Sequence, residues 1–272
     1  MRPTDAGACQ NCERPLSGPY CSNCGQKAVD LREAGLRTLL GEGLRGLFDR
    51  LYIVRDSLWL LTVPGHLTAQ WLAGKRIGHL NPLRTWVLCT AVASFAMAAT
   101  VPPVAEWAAQ YAPDAAKKLG SAELEFLDGW RSVSKGALAA LEAALVLLVS
   151  PAIYRFLLGP HERGLVAYVA AALHGSAAGS LLIAASVGLA WLLGGDLTDP
   201  GDWTVVLLGL AAVPVGAWYS WSVLRRGLGA TPRLVLFAIA VEAVVILAIA
   251  AAAMLVDGGV AWFLIEALAE SA

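Results

Sequence analysis

The sequence predicts an all-α polytopic membrane protein: five transmembrane helices, N-terminus cytoplasmic and C-terminus outside, behind a small cysteine-built N-terminal ribbon. Three observations predict it. Hydrophobic residues fill 57% of the 272 positions and charged residues only 15%, with a positive mean hydropathy, a balance foreign to ordinary soluble domains. Five mostly apolar segments follow residue 80, each near the roughly 20 residues that about 30 Å of hydrocarbon requires. Four cysteines form two C-x2-C pairs near the start, Cys9 with Cys12 and Cys21 with Cys24.

The segments run over 83–101, 137–157, 166–193, 203–223 and 234–256. Lys and Arg bias in the connecting loops sets their orientation. Lys75 and Arg76 precede the first segment and Arg84 stands at its start, Arg155 stands at the end of the second with Arg163 after it, and Arg225, Arg226 and Arg233 separate the fourth from the fifth. These regions belong in the cytoplasm. Asp196, Asp199 and Asp202 lie on the opposite side, as do Asp257, Glu266 and Glu270. Eleven of the 20 Lys and Arg lie at or before Arg84, so the near-neutral net charge of −1 hides a basic part outside the lipid. No cleavable signal peptide is expected ahead of the first long apolar run.

Orientation decides what the cysteines do. A reducing cytoplasm disfavours stable disulfides, whereas paired C-x2-C knuckles suit a tetrahedral thiolate site. Residues 1–30 are therefore expected to form a structural Zn2+ ribbon with Cys9, Cys12, Cys21 and Cys24 as ligands; iron or a redox pair is the alternative. With four ligands the site is closed to catalysis. Cys89, in the first span, reads as a small buried side chain.

Residues 31–82 read as cytoplasmic or interfacial helices. Leu36, Leu39, Leu40, Leu44, Leu47, Phe48 and Leu51 cover half a helical wheel, which describes a helix on the membrane surface or on the ends of the spans. A second short helix is expected from about Thr62 to Gly74, with Pro64 in its first turn and Trp71 at headgroup level. Lys75, Arg76 and Arg84 could grip lipid phosphates; positive-inside anchoring also explains them. Asn81 and Pro82 turn the chain into the bundle, residues 83–272.

The order YCSNCGQ, LLGEGLRGLFDRL and TVPGHLTAQWLAGKRIGHLNP resembles an uncharacterised bacterial membrane family, domain of unknown function 3667. The resemblance implies a cytoplasmic cysteine ribbon, a linker helix, a Pro-containing segment and an Asn-Pro start to the first span. It implies a multi-pass location in the bacterial inner membrane and brings no activity with it. HERGLVAYVAAALHGSA resembles a later family segment and would place Glu162 and His174 on corresponding positions. A looser likeness in topology is to Yip1-type trafficking proteins.

Three ionisable residues fall far inside the spans. At about 1.5 Å per residue, His174 lies about 16 Å from Arg163, Glu242 about 14 Å from Arg233 and Glu142 about 20 Å from Arg155. Charges at such depth cost at least about 2.5 kcal/mol, so these side chains should face the bundle interior. They read as interhelical glue, as a proton or cation path, or as an intramembrane metal hydrolase. Against the hydrolase, no HExxH pair or activated nucleophile is present. Ala171, Gly175 and Gly179 offer a small face for close helix approach, and Pro151 and Pro214 can kink their helices.

The expected protein is not an enzyme. Its ribbon docks a cytoplasmic partner or ties a homo-oligomer together, and its bundle is a scaffold or contacts membrane lipids. The alternative is a small-solute or proton-coupled transporter using Glu142, His174 and Glu242. No nucleotide-binding loop or dense basic stripe is present, so no nucleic-acid partner is expected.

Overall fold

The computed structural model describes residues 7–28, 51–98, 117, 121–129, 143–161, 164–195, 203–241 and 243–244. Among them the chain is helical, with two isolated antiparallel bridges in the ribbon and no strand. Its helices are α1 (Leu51–Leu61), α2 (His66–Leu72), α3 (Pro82–Ala98), α4 (121–129), α5 (Ser150–Leu158), α6 (Leu165–Leu192), α7 (Trp203–Ser222) and α8 (Pro232–Val241). Wherever a predicted span is described it is helical, apart from the turn at Leu193. One helix among the described residues, α6, is long and apolar enough to cross a membrane.

Helix α6 is the hub against which α2, α3, α5 and α7 pack. Its first half is apolar all round, and Val166 to His174 is buried without a break. Ala167, Ala170, Ala171 and Ala172 keep that half thin, so neighbours approach on every side. Beyond Ser180 the helix emerges, and Leu189, Trp191 and Leu192 are exposed. Gly194 in the left-handed region ends it, with the Gly195 N–H closing back on the Ala190 carbonyl.

Helix α3 begins as the Asn81-Pro82 pair predicts. The Asn81 side-chain oxygen accepts the Leu83 N–H at 2.9 Å, and Pro82 occupies the first turn, where its missing donor costs nothing. Hydroxyls then tie α3 to α6: Trp86 Nε1 donates to Ser176 at 3.1 Å, and Thr90 and Ser180 meet at 3.3 Å. Cys89 is buried. The polar bonds flank Gly175 and Gly179, where a Cβ would meet nothing within 4 Å among the described residues. Among these residues, close approach falls on Ala171 of the predicted small face and on the serines.

The proline positions differ in their consequences. Pro151 stands in the first turn of α5, and a π turn, Leu145–Val149, leads into it. That wide turn gives the ring room where an α-helix would clash. Pro214 lies within α7, whose last residues widen into a second π turn, Val223–Gly227.

The short helix before the first span departs from expectation. It starts at His66 behind Gly65, leaving Pro64 outside, and its Trp71 is covered by the protein. Leu67, Thr68, Trp71 and Leu72 are all buried. Trp71 and Leu72 join a core with Tyr154, Val166, Tyr168 and Leu224; Leu61 and Leu67 join another with Ala171, Tyr219 and Val223. Trp71 is core because α2 turns inward against the π turn of α7. The contact is tight: a Cβ on Gly65 would stand 2.3 Å from the Ser222 carbonyl oxygen, and one on Gly227 would stand 2.7 Å from Thr68 Cγ2. Arg226 Nη1 donates to the Pro64 carbonyl at 3.2 Å.

Gly65→Ala should lower the thermal midpoint of the purified protein in nanodiscs, costing about 2 kcal/mol from backbone clash and a left-handed φ. Gly175→Ala, placed in open space within α6, should be neutral or slightly stabilising by the same measurement.

Candidate functional site

The ribbon is a ten-residue unit used twice at a spacing of twelve residues. Residues 7–16 and 19–28 carry matching bonds: Cys9 N–H donates to the Arg14 carbonyl and Cys21 N–H to the Gln26 carbonyl; Leu16 N–H reaches Gly7 and Ala28 N–H reaches Pro19. The bridges Ala8 to Pro15 and Tyr20 to Lys27 match as well. Each loop needs one left-handed residue after its second cysteine. Gly25 supplies it at φ 73° without strain, and Glu13 supplies it at φ 62° against its Cβ.

Pairing the loops brings the four sulfurs together. Cys9 Sγ is 3.6 Å from Cys24 Sγ, Cys12 Sγ is 3.5 Å from Cys21 Sγ, and all four lie within 4.8 Å of one another. A tetrahedron with metal–sulfur bonds of about 2.3 Å needs sulfurs about 3.8 Å apart. The four cysteines therefore fit one metal ion. They would act as its thiolate ligands and leave no position for a reacting molecule.

The loops also divide the thiols by acidity. Hydrogen bonds from the Arg14 backbone and the Asn23 side chain hold Cys12 down to about 6, against a usual 9.0. Cys21 is lowered by the backbone amides of Cys24 and Asn23. At Cys24 the Gln26 amide pulls down, but burial and the neighbouring thiols outweigh it and push the group up to about 11.

The ribbon is seated on the body of the protein. Gln26, 6% exposed, spends both ends of its amide on the turn after α2: Nε2 donates to the Gly74 carbonyl at 2.7 Å, and Oε1 accepts the Arg76 N–H at 3.1 Å. Gln10 of the first loop packs on Gly74 so closely that a Cβ there would fall 2.1 Å from its Oε1. Sequence reasoning passed over both glutamines. The twelve-residue repeat was readable in CQNCERP against CSNCGQK, but no periodicity marks its docking partner 48 residues away.

Below that turn lies His174. It is fully buried, and its Nδ1 is 3.0 Å from the Thr68 hydroxyl of α2. Its Nε2 is buried without a hydrogen-bond partner among the described residues, as is Nδ1 of His79. The two rings are near enough for the charge of one to act on the other. Burial pushes His79 below its ordinary range, despite its backbone bond to Gly78 and the charge of Asp56. His66 and Lys75 face it too, and His66 Nε2 meets Gln70 Nε2 at 2.6 Å.

Of the predicted intramembrane set, only His174 can be placed. Glu142, Glu242 and Glu162 lie outside the described residues, as does the helix expected from Leu36 to Leu51 apart from Leu51 itself, which opens α1. Among the basic residues before the first span, Lys75 is exposed, while Arg76 and Arg84 are half-buried. Thr68 and His79 were missed. Thr68 sits mid-helix with nothing in its spacing to single it out, and His79 reads as an ordinary loop residue before Asn81-Pro82.

A family model described as "Protein of unknown function (DUF3667)" matches residues 55–93, which is α1 from Arg55, all of α2, the turn that receives the ribbon, and most of α3. No curated protein and no solved structure matches the chain.

Proposed function

The chain belongs to the DUF3667 family, and we propose that it is a non-enzymatic, multi-pass protein of the bacterial inner membrane whose zinc ribbon docks a protein partner. In this reading the five apolar segments all span the membrane, N-terminus in and C-terminus out. Zn2+ is the metal because a cytoplasmic cluster of four cysteines in C-x2-C knuckles, with tetrahedral sulfur spacing, suits it. The observation that carries the docking role is the seating of the ribbon. Gln26 and Gln10 fix it to the Gly74 turn, so the ribbon is presented at one orientation instead of trailing on a linker. Tyr20, 58% exposed on the second loop, is the aromatic anchor such a surface needs. The partner is a cytoplasmic protein or a second copy of the chain, and Lys75, Arg76 and Arg84 face lipid headgroups at the rim.

Deleting residues 1–30 should abolish partner capture in pull-downs while the chain still inserts into membranes. Tyr20→Ala in an otherwise intact chain should weaken capture by at least about tenfold. Capture unchanged in both variants would remove the docking role.

The Nε2 of His174, unpartnered among the described residues, favours a second reading, transport of protons or a small cation through the bundle. Proteoliposomes holding the protein should then lose an imposed pH gradient faster than those holding His174→Gln or Glu242→Gln. Equal decay in all three leaves the scaffold.

A further inference from the structure

We propose that the ribbon is a metal-dependent latch on the bundle: with a metal ion held by its sulfurs, Gln26 grips the Gly74–Arg76 turn and keeps α2 seated beneath it. The inference rests on metal binding by the four cysteines and not on partner docking.

Gln26 belongs to the second knuckle. Its backbone carbonyl accepts the Cys21 N–H at 2.8 Å, so its position follows the fold of that loop. Its buried side-chain amide faces the other way and is used up by Gly74 and Arg76. Gln10, between the ligands Cys9 and Cys12, closes on Gly74 from the first knuckle. Both loops thus touch the same glycine, and both are arranged around the same four sulfurs. Among the described residues of the ribbon, those buried are Cys9, Cys21 and Gln26. These include no apolar core to keep the loops folded once the sulfurs lose a shared ion.

The gripped turn is the C-terminal cap of α2. Gly74 N–H reaches the Trp71 carbonyl at 3.0 Å, and Lys75 N–H reaches that of Gln70 at 3.1 Å. Seven residues cannot hold a helix by themselves. Releasing the turn frees carbonyls at one end of α2, while Gly65 at the other end offers no side-chain cap. Thr68 leads from α2 directly to His174 in the hub helix. Metal occupancy on the ribbon therefore sets how firmly α2 closes over the buried histidine.

The test is hydrogen exchange on the full chain in nanodiscs, with zinc content measured on the same samples. The purified chain should hold one zinc ion. Removing it with a strong chelator should speed exchange of the α2 amides at least about tenfold, with α3 and α6 unaffected. Gln26→Ala should do the same with zinc retained. The latch is overturned if the chain holds no zinc, or if chelation leaves α2 exchange unchanged. It is equally overturned if exchange rises alike in α2, α3 and α6, or if Gln26→Ala keeps both zinc and full protection of α2.

Discussion

A helix of seven residues is unstable in water, and the arrangement of this protein depends on how α2 escapes that limit. It does so by burial. Leu67, Trp71 and Leu72 enter two cores, each large side chain contributing about 1.5–3 kcal/mol before entropy is counted. Thr68, the polar residue among them, is matched by His174. An unmatched hydroxyl there would cost about 1–3 kcal/mol, so the pair also fixes the rotation of α2 against α6.

The π turn at the end of α7 makes this possible. A regular helix keeps its surface full, but the widened turn Val223–Gly227 brings Gly227 under Thr68 and the Ser222 carbonyl against Gly65. Two glycines on opposite partners give the backbones their close approach. Arg226 then bonds the Pro64 carbonyl just ahead of Gly65. The family match covers α2 and the Gly74 turn but neither the ribbon nor His174. The shared segment thus connects the four-cysteine ribbon, at the Gly74 turn, to the buried imidazole, at Thr68.

The candidate sites differ in chemistry as much as in place. The four cysteines form a closed set in which hydrogen bonds from the knuckle backbones favour charge on Cys12 and Cys21. The histidine site is only partly satisfied, with buried ring nitrogens on His79 and His174 that bond nothing among the described residues. Such atoms take a bridging water or another polar partner in a folded protein. What connects the two sites is a short run of backbone, from Gln26 through Gly74 and α2 to Thr68.

The sequence by itself determined whatever depends on neighbours in the chain. C-x2-C spacing announced the four-cysteine cluster, Asn81-Pro82 placed the start of α3, and apolar runs of adequate length marked the helical segments. These signals are local, so they survive without knowledge of the fold. Tertiary structure alone decided that Trp71 is core and not a headgroup anchor, since an amphipathic pattern reports an apolar face without saying what covers it. It also decided the contacts of Gln26 with Gly74 and of Thr68 with His174, which join residues 48 and 106 positions apart. No periodicity reaches that far, because such pairs arise only from the way helices stack.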